Sequence, residues 1–173
     1  NTFAGKTCDP AICEDEGALP AGVYDWRDAV IYFVFVDRFF NGDPSNDCNI
    51  SGVSGGNKSI ANYEGGDWAG VTQKINANYF NDLGVNTLWI TVPFENPQIP
   101  GAGQGSDSNH QYSGYHGYWP KLDNEDPTAL QAESCFGTFA DLKTLVATAH
   151  AKGLKVLMLE RGQKIKREDI TRR

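Results

Sequence analysis

Positive charge is short in this chain: 15 Lys and Arg stand against 22 Asp and Glu, for a net charge of -7. A polyphosphate partner requires a basic surface, so the charge weighs against nucleic acid and leaves a neutral ligand or a cation as the more natural partner. Long apolar runs are missing too. None approaches roughly 18 residues, and nothing reads as a membrane span. His110, His116 and His150 lie apart and no Gly-x-Ser-x-Gly elbow is present, which removes the basis for a Ser/His/Asp triad. Cys8, Cys13, Cys48 and Cys135 include no C-x-x-C pair, against a zinc ribbon or a thioredoxin-type motif. The glycines from Gly52 to Gly56 precede no helix directly and lack the Lys-Ser/Thr of a phosphate loop, so they read as a flexible loop. There is no initiator Met and no signal peptide, and the start at Asn1 reads as that of a processed or trimmed product.

What is present is globular. A chain of 173 residues, 40% hydrophobic and 21% charged, is long enough for one domain with a core of its own. Aromatics are abundant at 12%, with four Trp and seven Tyr, which implies a large core or flat rings for stacking. An even cysteine count with many Asn and Gly suggests an exported, disulfide-bonded protein. Three pairings are open; Cys8 with Cys13 and Cys48 with Cys135 is the favoured one.

Residues 1–25, broken by Pro10, Gly17, Pro20 and Gly22, read as an irregular lead-in. The apolar run Val30 to Val36 then ends in Asp37-Arg38. Its length and its β-branched and aromatic content predict a strand buried on both faces, as in a parallel sheet. Val71, Ile75, Tyr79 and Leu83 recur every four residues as one helical stripe, stopped by Gly84. A strand follows at Thr87 to Thr91. Thr138 and Asp141 predict a carboxylate variant of the capping box, ahead of a helix burying Leu142, Leu145, Val146 and Ala149 and ended by Gly153. Leu154 to Leu159 is the third strand. The order β-α-β-α-β, with short links after helices and long ones after strands, predicts right-handed parallel crossovers. Both long loops then emerge at the carboxyl end of the sheet, where α/β proteins place their chemistry.

Two loop clusters are candidates. Asn41, Asp43, Asn46 and Asp47 supply four oxygen-bearing side chains within seven residues, and Asp67 could fold back as a fifth. Calcium takes six to eight such oxygens; the plainer alternative is a solvated turn, since these residue types favour turns locally. Tyr112 to Trp119 places four aromatics around His116. Exposed rings offer platforms for the C–H faces of sugars, and the alternative is a local cluster that staples the loop. His150 reads as a surface or capping residue.

Several collinear motifs resemble the α-amylase family of glycoside hydrolases, and within it the cyclodextrin glucanotransferases and related calcium-dependent amylases. They are Ile31-Tyr32 through Asp37-Arg38-Phe39, Asn41-Gly42-Asp43-Pro44-Ser45-Asn46-Asp47, Gly65-Gly66-Asp67-Trp68-Ala69-Gly70, Leu83-Gly84-Val85-Asn86-Thr87-Leu88-Trp89-Ile90, Tyr115-His116-Gly117-Tyr118-Trp119, Phe136-Gly137-Thr138 and Ala149-His150-Ala151-Lys152-Gly153-Leu154-Lys155-Val156. The resemblance implies a (β/α)8 TIM barrel, of which this chain would hold the first three βα units. It implies a calcium ion held by Asn41, Asp43, Asn46, Asp47, the Gly65 carbonyl and Asp67. It implies that Tyr118 stacks on a sugar of an α-glucan such as starch, a maltooligosaccharide or a cyclodextrin, with His116 and Trp119 lining the same pocket. A secreted location is expected from the cysteines, and a monomer if the chain folds.

The resemblance stops abruptly. After the third strand the family pattern has Asp, Asn and His where this chain has Leu159, Gln163 and Lys164, and residues 160–173 form a tail with six basic residues in fourteen. A frameshift or mispredicted gene end is the expected cause. The family's nucleophile and acid, about 5 Å apart in retaining enzymes, come from later strands, so this chain is expected to lack them and to be inactive on starch. Asp123, Glu125 and Asp126 read as solvated loop charges. Three strands of a barrel would leave two open edges, and Tyr32, Val34 and Val36 are expected to lose their cover, favouring aggregation. A non-catalytic, calcium-dependent sugar-binding fragment is the rival reading. An open flavodoxin-like nucleotide domain fails for want of a glycine-rich turn joining the first strand to a helix.

Overall fold

The computed structural model describes residues 2–3, 6–7, 24–121 and 131–158. The Cys8–Cys13 pairing, the divergence at Leu159, Gln163 and Lys164, and the charges Asp123, Glu125 and Asp126 all lie outside them. Thr2–Phe3 (β1) and Lys6–Thr7 (β2) make a short antiparallel pair. The centre of the fold is a parallel sheet of Ile31–Val34 (β3), Thr87–Ile90 (β4) and Lys155–Met158 (β7), in the order β3-β4-β7. Its register stacks Tyr32, Leu88 and Val156 in one row and Phe33, Trp89 and Leu157 in the next. Between the strands lie Val36–Phe39 (α1), Trp68–Asn76 (α2), Tyr79–Asp82 (α3) and Phe139–Ala151 (α4). Gly101–Ala102 (β5) and Gln111–Tyr112 (β6) pair antiparallel within the second long loop. This is the alternation of an incomplete (β/α) barrel.

Among the described residues, helices cover one side of the sheet only. Val34, Leu88 and Ile90 are fully buried against Val71, Ile75, Phe80, Leu145 and Ala149. The opposite side is open: Ile31 is 50% exposed, and Phe33 and Trp89, with ring centroids 5.0 Å apart, are each 38% exposed. The first strand is therefore not covered on both faces. Nor is the uncovered side the expected one. Val34 is fully buried and Tyr32 is half-buried, because alternation of side chains turns them toward the helices and leaves Ile31 and Phe33 on what would be the barrel interior; Val36, in α1, is fully buried as well.

Two elements end sooner than predicted. The first strand stops at Val34, and Val36–Phe39 coils into one helical turn. The buried Asp37 carboxylate accepts N–H bonds from Glu64 and Gly65 at 3.1 to 3.3 Å, which draws the backbone out of the sheet. The single predicted helix from Val71 to Leu83 is two, because Asn78 sits in the left-handed region at φ +60°. That break re-phases the stripe: Val71, Ile75 and Phe80 are buried, whereas Tyr79 and Leu83 are 39% and 55% exposed. Gly84, at φ +74°, ends the second piece as predicted. The Thr138/Asp141 capping box is present in full, with the Thr138 hydroxyl accepting the Asp141 N–H and the Asp141 carboxylate accepting the Thr138 N–H. Leu142, Leu145 and Ala149 are buried and Val146 is half-buried.

Neighbouring residues of β4 should therefore respond oppositely. Leu88→Ala, on the covered side, is expected to lower the unfolding free energy by about 3 kcal/mol. Trp89→Ser, on the open side, should cost less than about 1 kcal/mol while reducing dye binding and aggregation. Urea denaturation and 1-anilinonaphthalene-8-sulfonate fluorescence check the pair.

Candidate functional site

Both long loops leave the carboxyl ends of the strands and fold onto each other. The Cys48–Cys135 disulfide joins them across 87 residues. Trp68 N–H donates to the Phe136 carbonyl at 3.0 Å, Ser113 N–H to Ala61 at 2.9 Å, and Ser54 N–H to Gln111 at 2.9 Å. Asn62, fully buried, holds the first loop closed, its carbonyl accepting the Ile50 and Tyr63 N–H groups and its amide donating to Asn49, Ile50 and Gly56.

The oxygen-rich cluster is organised around Asp67. Its Oδ1 accepts Gly42 N–H at 3.0 Å and Gly70 N–H at 2.6 Å, and its Oδ2 accepts Asp43 N–H at 2.7 Å and Asn46 Nδ2 at 3.3 Å. Asp67 thereby caps α2 and closes the turn at once. Asp43 caps a short turn, and its bonds from the Ser45 hydroxyl and N–H hold its pKa below the ordinary value. Asp47 Oδ1 accepts Asn41 Nδ2 at 2.6 Å, and Asp47 Oδ2 pairs with Lys58 at 2.6 Å. Gly65 packs directly on this pair: at φ +95°, a Cβ there would lie 2.3 Å from Asp47 Oδ1 and 2.7 Å from Asn41 Nδ2. Asn41 Oδ1 and Asn46 Oδ1 are buried without a hydrogen-bond donor, which is costly unless something else satisfies them. Among the described residues no three His, Cys, Asp or Glu side chains gather as a metal group, so the cluster's character is that of amide and carbonyl oxygen as much as of carboxylate.

The aromatic cluster lies on the second loop. His116 Nδ1 accepts the Tyr118 N–H at 2.9 Å, which leaves the ring proton on Nε2. The His116 and Tyr118 rings stack with centroids 5.4 Å apart, and Trp119 stands edge-on to His116 at 4.5 Å. Tyr118 is 43% and Trp119 37% exposed, so the three residues singled out in the sequence share one accessible surface. Burial lowers the His116 pKa. Tyr115 is fixed from behind by the Arg38 guanidinium, 3.9 Å from its ring centroid. Arg38 in turn donates to the Ile60 and Asn62 carbonyls and pairs with Glu64 at 2.8 Å. His150 lies exposed in the last turn of α4.

Sequence reasoning missed the groups behind the platform. Glu133 is fully buried and accepts bonds from Tyr63, Asn96 and Cys135, and Asn96 accepts the Trp119 N–H at 3.0 Å. Nothing in Ala132-Glu133-Ser134 signals a buried carboxylate, and its partners come from distant positions. Asp37, also missed as a buried group, is pushed up to about 6 by burial.

A family model described as the α-amylase catalytic domain matches residues 33–159. The chain is 44% identical over 135 residues to a periplasmic alpha-amylase of Escherichia coli (strain K12), a match covering 78% of this chain and 18% of that protein. It is 39% identical over 153 residues to a cyclomaltodextrin glucanotransferase of Bacillus licheniformis, covering 86% and 19%. Among solved structures it is similar to the gamma-CGTase of alkalophilic Bacillus clarkii, at a TM-score of 0.61 and 34% identity over 78% of this chain and 18% of that one. It is also similar to an alpha-amylase from Geobacillus thermoleovorans complexed with acarbose, at 0.54 and 34%, over 79% and 23%. The chain thus spans less than a fifth of the length of these curated relatives.

Because the folded chain disfavours the His116 imidazolium, the unfolded state binds more protons between the two pKa values, and stability rises with pH there. The contribution of His116 is complete above its ordinary value of 6.5 and is lost as pH falls through the lowered one. His116→Gln should flatten that part of a stability profile measured by denaturant titration between pH 4 and 8. An unchanged slope would show that the ring carries none of it.

Proposed function

This chain belongs to the α-amylase catalytic-domain family, and from that premise we propose that it is the opening section of an enzyme that cleaves or transfers α-linked glucans with retention of configuration. The observation that carries the reading is the joint placement of His116, Tyr118 and Trp119 on one accessible surface at the carboxyl end of a parallel sheet. Flat rings there can take the C–H faces of a glucose unit, and the position is where barrel enzymes act. Starch, maltooligosaccharides or cyclodextrins are the substrate class, and an exported location accords with the Cys48–Cys135 bond.

Calcium suits the oxygen-rich loop. Asn41, Asn46, Asp47 and the Gly65 carbonyl would hold it, with Asp43 beside them and Asp67 shaping the turn, since all four of its acceptor positions are engaged. The two orphaned amide oxygens support this fit. The ion would supply structural cross-linking of the loop rather than chemistry on the sugar.

Retaining hydrolysis needs a nucleophilic carboxylate and a carboxylic acid about 5 Å apart. The resemblance assigns neither role to a residue of this chain, so the 173-residue polypeptide is read as glucan-binding and catalytically silent. Insoluble starch should retain the purified chain, and Trp119→Ala should weaken retention roughly tenfold, the loss of one aromatic anchor. Ca2+ at about 100 times its dissociation constant should stabilise the fold by about 2.7 kcal/mol, and a chelator should reverse this. Release of reducing sugar by the purified chain would contradict the silent reading. A melting curve indifferent to both Ca2+ and chelator would contradict the ion.

A further inference from the structure

Glu133 has no exposed surface, yet its partners among the described residues are neutral groups: Asn96 N–H at 2.8 Å, Asn96 Nδ2 at 3.0 Å and Tyr63 OH at 3.3 Å on Oε2, and Cys135 N–H at 3.2 Å on Oε1. Burying a carboxyl group carries a desolvation cost that an apolar residue at the same place would not incur. Its arrangement has a directional consequence. Asn96, also fully buried, donates Nδ2 to Glu133 and to the Phe94 carbonyl at 3.2 Å. The amide's other end is thereby forced outward, and Oδ1 accepts the Trp119 N–H at 3.0 Å. Gly114 packs closely along the Asn96 side chain: a Cβ there would lie 2.5 Å from Asn96 Cβ and 3.3 Å from its Oδ1. Burial and the neighbouring Glu133 raise the Tyr63 pKa, so its hydroxyl stays a donor. The backbone on either side is clamped as well, Glu133 N–H to Pro93 at 2.9 Å and Glu95 N–H to Gln131 at 3.0 Å.

We propose that Glu133, acting through Asn96, is a positioning residue that sets the place and tilt of the Trp119 edge of the platform. Glu133 makes no hydrogen bond to the platform itself; it fixes which end of the Asn96 amide faces Trp119. The role in glucan binding rests on the reading of His116, Tyr118 and Trp119 given above, whereas the mechanical link does not.

The test is residue-resolved amide hydrogen exchange by NMR on the whole chain and its variants, alongside maltotriose binding. Asn96→Ala and Glu133→Leu should each speed exchange at the Trp119 amide roughly five- to tenfold, the loss of one buried hydrogen bond, with Leu88 and Ile90 in the sheet unchanged. Glu133→Gln, which can keep a carbonyl oxygen toward Asn96, should remain near wild type at Trp119. Maltotriose affinity should fall with the Trp119 protection. Undiminished Trp119 protection in Glu133→Leu overturns the proposal, as does equal acceleration at Leu88 and Ile90, which would make Glu133 a fold-stabilising group only. Should Glu133→Leu not fold, Glu133→Ala decides on the same two readings. A wild-type chain that fails to bind maltotriose overturns the glucan reading alone and leaves the exchange result to judge the relay.

Discussion

The Asp67 carboxylate is the constraint on which the oxygen-rich loop depends. One side chain, fully buried at the first turn of α2, accepts four hydrogen bonds from both ends of a segment that leaves β3 and returns 25 residues later. The negative group sits where the helix presents its unpaired N–H groups and the positive end of its dipole. The same four bonds bring the start of α2 against Phe40 and Gly42. A Cβ on Gly70 would meet the Phe40 carbonyl oxygen at 1.9 Å, so only glycine permits the approach. Asn41, Asn46 and Asp47 are then gathered as a consequence of helix capping, and α2 is held at the angle from which it packs on α4.

The second loop is tied to the first rather than to the sheet. The Cys48–Cys135 bond closes a circuit of 87 residues, worth roughly 4 to 5 kcal/mol in the chain-entropy account. Cys48 adjoins Asp47, and the Cys135 N–H is one of the donors to Glu133. Oxygen cluster and aromatic platform are therefore neighbours through one covalent bond and one hydrogen-bond relay. The open side of the sheet stands in contrast. Phe33 and Trp89 meet no covering layer among the described residues, so the organised end of the molecule is the loop end.

Much of this was legible beforehand, for identifiable reasons. Period, glycine stops and the Thr138/Asp141 box are local signals, and they located the three strands and α4. The aromatic trio was legible because its members are adjacent in the chain. The Cys48–Cys135 pairing emerged as favoured from three options. The break at Asn78 was not legible, since a left-handed Asn leaves the four-residue repeat of apolar residues undisturbed on paper. Nor was the early end of β3, because the cause, Asp37 binding the N–H groups of Glu64 and Gly65, is a contact across 27 and 28 residues. The covered side of β3 is not legible, because an uninterrupted apolar run carries no alternation to read. Glu133 and Asn96 escaped because buried polar groups are recognised by their partners, and those partners are remote.

On the proposed reading, the accessible rings at the loop end, rather than the open apolar sheet, receive the sugar. Indole N–H resonances of Trp26, Trp68, Trp89 and Trp119, followed by heteronuclear NMR during a maltotriose titration, test it most directly. Saturable movement of the Trp119 resonance with the other three stationary is the result predicted. Movement of Trp89 in its place, or no saturable shift at any of the four, would contradict it.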